Sequence, residues 1–429
     1  MNGSILITNA AELVTCSGFS AKCGPAMSDL GIISNGAVEI RDGVITAVGP
    51  AELIAAGHGR PDRKVIDAAG KAVLPGFVDP HSHFLFAGYR ADEFCLRLQG
   101  AGYMEIMRQG GGIRHTVAAT RRASRDSLIK TGLLRLDRML ASGVTTVEGK
   151  SGYGLDRDTE IKQLEVMAEL DTMHPVDVVR TFLGAHALPD EYSNRSDAYI
   201  DFLCEELLPQ VADQQLAGFC DVFCEKNVFS VSQSRRLLRR AQSLGLAAKL
   251  HADELEPMGG AELAADLGAV SADHLLRSSP EGIRKMARAG VVAVLLPATA
   301  FCLREPYARA RFMIDEGCAV ALATDLNPGS CFSGSIPLLF ALATLYMNMS
   351  PEEAVTALTI NAAAAISRET SVGSLDVGKQ GDLVILEFPS YRYLPYHTGV
   401  DIVETVVKAG NIVHQKPGGK HATDPAHPA

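Results

Sequence analysis

The chain has 429 residues, 47% hydrophobic and 21% charged, with a formal net charge of −10. That length suits one barrel-sized domain plus a smaller one. Its dispersed acidic residues exclude the basic stripe of a nucleic-acid surface while leaving room for a small anionic substrate beside local cations.

No apolar run reaches the roughly 18–20 residues that cross a membrane. Residues 1–8 lack the basic start and long apolar core of a secretory signal, so a cytoplasmic location is expected. Nine cysteines without a C-x-x-C pair read as reduced, mostly buried thiols, not as a disulfide framework or zinc ribbon.

Residues 38–48 alternate apolar and polar side chains around Asp42-Gly43, a hairpin signal. Residues 65–74 repeat the alternation and lead into Leu-Pro-Gly-Phe-Val-Asp-Pro-His-Ser-His at 74–83. Segments 373–386 and 402–413 look the same, so the two ends are expected to pair into one small β-sandwich, from 1–70 and 371–414. The remainder, 415–429, is Pro, Gly, Lys, His, Asp and Ala; it cannot build a core and is expected to be disordered.

Between 71 and 370, short apolar runs alternate with helical spacing. Eight candidate strands fall at 76–84, 145–149, 177–185, 219–225, 247–252, 269–275, 291–297 and 319–325. Residues 232–245 read as one of the intervening helices, closed by Gly245. Eight such units over this length predict a (β/α)8 TIM-type barrel. The stretch 87–122 is left as an extended first βα loop able to cover a site. Gly110-Gly-Gly112 belongs to that cover, since it lacks the Gly-Lys-Ser/Thr ending of a P-loop.

Chemistry collects at the strand ends. His81 and His83 stand two apart, and on an extended backbone such residues face the same way, so both imidazoles can reach one metal ion. Other strands end at Lys150 and Tyr153, at His186, at His251 and Glu254, at Asp273 and His274, and at Asp325, Asn327 and Ser330. A lone histidine at a strand end is more often a hydrogen-bonder than a ligand, and Asp325 alone would read as a helix cap. Six of eight strands ending this way point to a metal site on the barrel's C-terminal face. His81, His83, His251 and Asp325 would supply three imidazoles and a carboxylate, leaving a position for a water of lowered pKa. This donor set suits zinc or iron and does not decide between them.

The runs at 75–83, Leu250-His-Ala-Asp-Glu254, Ser271-Ala-Asp-His274 and Ala323-Thr-Asp325 resemble the amidohydrolase superfamily. Asn361-Ala-Ala-Ala before Gly373-Ser-Leu-Asp-Val-Gly-Lys-Gln-Gly-Asp-Leu-Val384 is similar to it too. More specific are Glu148-Gly-Lys-Ser-Gly-Tyr-Gly-Leu155, Phe182-Leu-Gly-Ala-His-Ala187 and Asp325-Leu-Asn-Pro-Gly-Ser330. These resemble the branch that opens 4-imidazolone-5-propanoate to N-formimidoyl-L-glutamate in histidine degradation.

The resemblance runs from about residue 35 to 413. It implies one metal ion per chain, Zn2+ or Fe3+, on His81, His83, His251 and Asp325. It places substrate contacts at Arg90, Tyr153, His186, Glu254, Asn327, Gly329 and Ser330. It also implies a homodimer.

Under that reading Asp325 takes a proton from the metal's water, with His274 sharing the role or holding the nucleophile. His186 polarises the ring carbonyl. Glu254 serves a ring N–H or the leaving nitrogen, and Arg90 with Tyr153 holds the propionate. The one-metal context argues against a carbamylated Lys150 bridging two ions. The alternatives are another amidohydrolase, acting on a nucleobase or a cyclic imide, and a non-catalytic protein on the same barrel.

Overall fold

A run such as Val-Ala-Val-Leu at 292–295, apolar on both faces, is stable as a strand only where both faces are covered. In a computed structural model, which describes residues 4–56, 64–100 and 111–417, every residue of that run is buried. It sits in an eight-stranded parallel sheet. The strands are β6 (Phe77–Asp79), β7 (Val144–Lys150), β8 (Asp177–Ala185), β9 (Phe219–Cys224), β10 (Ala247–Ala252), β11 (Ser271–His274), β12 (Val292–Leu295) and β13 (Val320–Leu322), side by side in chain order. The first and last meet through Asp325 N–H donating to His81 O at 3.0 Å and His83 N–H donating to Leu326 O at 3.0 Å. Thr324 N–H also donates to Asp79 Oδ1 at 3.0 Å. The expected barrel is present.

Its helices have legible starts. Ser124, Asp156 and Ser230 cap those at Arg125–Ala141, Arg157–Met173 and Val231–Ser243, and Ser230 forms a capping box with Gln233. Gly245 follows the last of these at φ +87°, in the left-handed region where glycine is favoured.

Both chain ends build a second, mixed sheet. It contains β1 (Ile5–Val14), β2 (Ile32–Arg41), β3 (Val44–Pro50), β4 (Lys64–Asp67), β5 (Val73–Pro75), β14 (Leu383–Leu386), β15 (Val403–Lys408) and β16 (Asn411–Gln415). The order is β16-β15-β14-β5-β1-β2-β3, with β4 beside β1. Asp42 and Gly43, at φ +49° and +84°, turn β2 into β3 as the hairpin signal requires. The sheet curls on itself, since Ile45 N–H donates to Lys379 O and Gly381 N–H to Gly43 O, both at 2.8 Å. Ile7, Leu13, Val38, Ile40, Leu383 and Val407 fill the concave side.

Three expectations shift. β6 is shorter than 76–84, because Pro80 has no N–H to give a neighbouring strand. The stretch 87–122 is not loop throughout; it contains helices Ala91–Leu98 and Ile113–Arg122. β16 reaches Gln415, inside the stretch read as a tail. Gly110 and residues 418–429 lie outside the described residues. Among the described residues, no helix is long and apolar enough to cross a membrane.

Candidate active site and metal centre

Directly after β6, His81 and His83 bring their Nε2 atoms together, while the Ser82 hydroxyl between them donates to Glu148 O at 2.6 Å. His81 Nε2 and His83 Nε2 stand 3.3 Å apart, and His251 Nε2, from β10, lies 3.5 Å from His83 Nε2. Asp325 Oδ1, beyond β13, is 3.5 Å from His81 Nε2 and 3.6 Å from His83 Nε2. Donors each about 2.1 Å from one tetrahedral ion stand about 3.4 Å apart. The donors of His81, His83 and Asp325 stand at that spacing and could hold one ion, with His251 Nε2 beside His83.

His274 joins His81 and His251 in one overlapping donor group, and His186 joins His83 and His251 in another. His274 (φ +75°) and Asp325 (φ +49°) both hold left-handed backbone that non-glycine residues seldom adopt.

The far nitrogens of two of these rings face carboxylates. His81 Nδ1 lies 2.6 Å from Asp273 Oδ2, and His251 Nδ1 lies 3.0 Å from Asp221 Oδ2. The first is a hydrogen bond that fixes the tautomer leaving His81 Nε2 bare toward a metal; at the second, Asp221 Oδ1 also accepts from the His251 backbone N–H at 3.1 Å. Asp325 Oδ2 accepts from Thr299 Oγ1 at 2.7 Å, which turns Oδ1 inward. Burial first, then neighbouring positive charge, holds His81 and His83 well below the ordinary imidazole value, so both are neutral imidazoles. Burial pushes the Asp325 carboxyl up to about 6, against the hydrogen bond from Thr299.

Beside this centre lie other residues that the sequence singled out. Tyr153 is buried, 5.9 Å from the His83 ring and 5.4 Å from that of His186, centroid to centroid. Its loop hangs on Glu160, whose carboxylate accepts from the N–H groups of Gly152, Gly154 and Leu155. His186 Nδ1 is 3.1 Å from Gly152 O. A carbonyl only accepts, so Nδ1 carries the proton; burial drives the ring down to about 3, leaving Nε2 as an acceptor. The expected role for His186, donating to the ring carbonyl, does not fit that tautomer. Glu254 Oε1 lies 3.6 Å from His274 Nδ1, and burial, then the Asp325 charge, pushes its carboxyl up to about 8.

Arg90 forms a two-armed pair with Glu93, Nε to Oε2 at 2.9 Å and Nη2 to Oε1. Glu93 Oε2 also accepts from Gly112 N–H at 2.8 Å. Burial would raise the Glu93 carboxyl, but Arg90 and that N–H hold it below its usual value. The Arg90 guanidinium abuts Gly329, where any Cβ would collide with it, and Arg97 Nη2 donates to Gly329 O at 2.7 Å. Asn327 spends its amide on its own loop: Oδ1 accepts from the N–H groups of Gly329 and Ser330, and Nδ2 donates to Asp325 O and Ser330 Oγ. Asn327 thus shapes the loop; Tyr153 and His186 lie beside the His83 ring and Glu254 beside His274, while Arg90 stands against Gly329.

The sequence reading gave no role to Asp221, Glu93 or Thr299. An aspartate inside the apolar run Phe-Cys-Asp-Val-Phe-Cys at 219–224 was the available signal.

The amidohydrolase family profile matches residues 72–413, and the chain belongs to that family, whose members are metal-dependent hydrolases. The zinc-bound adenosine deaminase of Xanthomonas campestris shares the fold, with a TM-score of 0.69 at 19% identity over 95% of this chain and 92% of that one. Within the family the chain falls among the imidazolonepropionases. It is 58% identical to the imidazolonepropionase of Clostridium tetani over 96% of this chain and 99% of that protein. The imidazolonepropionase of Parabacteroides distasonis is also 58% identical, over the same shares.

Proposed function

We infer that the chain hydrolyses the C–N bond of a cyclic amide, opening 4-imidazolone-5-propanoate to N-formimidoyl-L-glutamate in histidine degradation. What carries the reading is the 58% identity to imidazolonepropionases along nearly the whole chain. The donor geometry agrees with it.

His81, His83, His251 and Asp325 would hold one ion, zinc or iron. Such an ion supplies a Lewis acid and a water acidic enough to act as nucleophile near neutral pH. Asp325, with its carboxyl near 6, is ionised at pH 7 and can accept the proton that water loses. Glu254, near 8, is protonated at pH 7 and can give a proton to the departing ring nitrogen. His186, neutral with Nε2 bare, accepts a substrate N–H and so orients the ring. Arg90, pre-set by Glu93, faces the propionate carboxylate, and Tyr153 adds a hydroxyl beside it. Buried aromatic walls, with Phe86 5.9 Å from Tyr153, keep bulk water from the ring.

The protein assembles as a homodimer in this reading, which sedimentation velocity checks. Product analysis tests the function: N-formimidoyl-glutamate forms without ammonia. Ammonia release from a nucleobase, with the imidazolone left intact, would move the chain to the deaminases.

A further inference from the structure

Beneath the four donors lies a layer of fully buried charge that the mechanism above does not use. Lys150, at the end of β7, is 0% exposed. Its Nζ donates to Asp221 Oδ2 at 2.7 Å and to Glu148 Oε1 at 3.0 Å, and stands 3.5 Å from Asp273 Oδ2. Two of these three carboxylates are the ones facing His251 Nδ1 and His81 Nδ1. Lys249 stands 3.2 Å from Glu148 Oε2 and donates to Ala365 O at 2.8 Å and to Pro80 O at 3.4 Å; its charge also opposes the rise that burial gives the Asp273 carboxyl, but without an ion-pair contact. A single ammonium therefore touches both carboxylates that orient metal-ligand imidazoles, one on β9 and one on β11.

We propose that Lys150 is a positioning residue that ties Asp221 and Asp273 together and thereby holds His251 and His81 in the geometry and tautomer the metal needs.

The reason is electrostatic. Three carboxylates crowded in a dry interior repel one another, and Lys150 offsets that repulsion while its hydrogen bond to Asp221 and its 3.5 Å contact with Asp273 fix where both sit; Lys249 adds positive charge near Asp273. Without Lys150 the two carboxylates move apart, and each displacement takes an acceptor away from a ligand imidazole. The burial of Lys150 would favour its neutral form, but the carboxylates outweigh burial and keep it charged. A charged, three-way paired ammonium has no free lone pair to form the carbamate that would bridge two metals.

This rests on the metal reading above. Its test is chelator competition with Zn2+ on metal-stripped, folded protein, together with the visible spectrum of the Co2+ form and the intact mass. Lys150→Met should weaken Zn2+ binding about 10- to 100-fold, the range typical of partners behind the ligands, and shift the Co2+ bands. Should that variant not fold, Glu148→Gln/Lys150→Met removes one buried charge of each sign and should show the same loss. Wild-type affinity and an unshifted Co2+ spectrum in whichever variant folds would overturn the proposal. So would a carbamate's added mass on Lys150. A wild-type chain that binds no metal would instead overturn the metal reading itself.

Discussion

Replacing Arg90 with alanine isolates substrate anchoring from chemistry. The guanidinium is held on two sides, by the Glu93 carboxylate and by packing against Gly329, so it meets the substrate already oriented. A hydrogen-bonded contact to a charged group contributes about 1.5–3 kcal/mol. Losing it should raise KM about 10- to 150-fold. No ligand atom at the metal centre belongs to Arg90, so metal content should not change. The assay is initial rate against concentration for 4-imidazolone-5-propanoate and for the same ring without its propionate, with metal measured on each sample. In Arg90→Ala the preference for the propionate-bearing ring should collapse, while the unsubstituted ring reacts as in the wild type. An unchanged KM at full metal content would remove Arg90 from the substrate site and with it the account of carboxylate recognition.

Other outcomes follow from single contacts. Gly329→Ala puts a Cβ into the Arg90 guanidinium, so KM should rise with little change in thermal stability; a wild-type KM would show that the loop yields. Glu254 has a raised carboxyl pKa, so it is protonated, and able to donate, below about 8 and loses that proton above it. A bound cation beside Asp325 draws the value down, so kcat should fall with rising pH at or below pH 8, and Glu254→Gln should abolish that limb. A limb that survives the substitution assigns it elsewhere. Burial would lower the His251 imidazole, but the Asp221 carboxylate outweighs it and raises it above its ordinary value, and burial pushes Asp325 up to about 6, so these two of the four donors meet protons first as pH falls. Metal content after dialysis should fall between pH 8 and pH 5, and full retention at pH 5 would contradict the protonation of these donors. Removing the metal should also lower Tm, since an ion at a hundred times its Kd stabilises by about 2.7 kcal/mol.

Much of the architecture was legible because apolar runs and punctuation agree locally. Asp42-Gly43 marked its hairpin, and the bounds of β8 and β10 match the runs at 177–185 and 247–252. The first barrel strand was overextended because alternation ran through Pro80, where the pairing changes from strand ladder to isolated bonds with Asp325 and Leu326. In the site, His81, His83, His251 and Asp325 stand in strand-end motifs, and the barrel turns their side chains toward one another. Lys150 and Asp273 were also visible at strand ends, but their link to Asp221, inside β9, was not. Only the closed barrel brings side chains of β7, β9 and β11 into contact. The tautomer of His186 was likewise invisible, because it depends on the carbonyl of Gly152, supplied by the neighbouring strand's loop.

The most direct test of a one-metal hydrolase is to return metal stepwise to stripped protein and follow loss of the absorbance of 4-imidazolone-5-propanoate. The account predicts negligible turnover without metal and a rate that rises linearly and saturates at one equivalent per chain. Full turnover by the stripped protein, or saturation only at two equivalents, would contradict it.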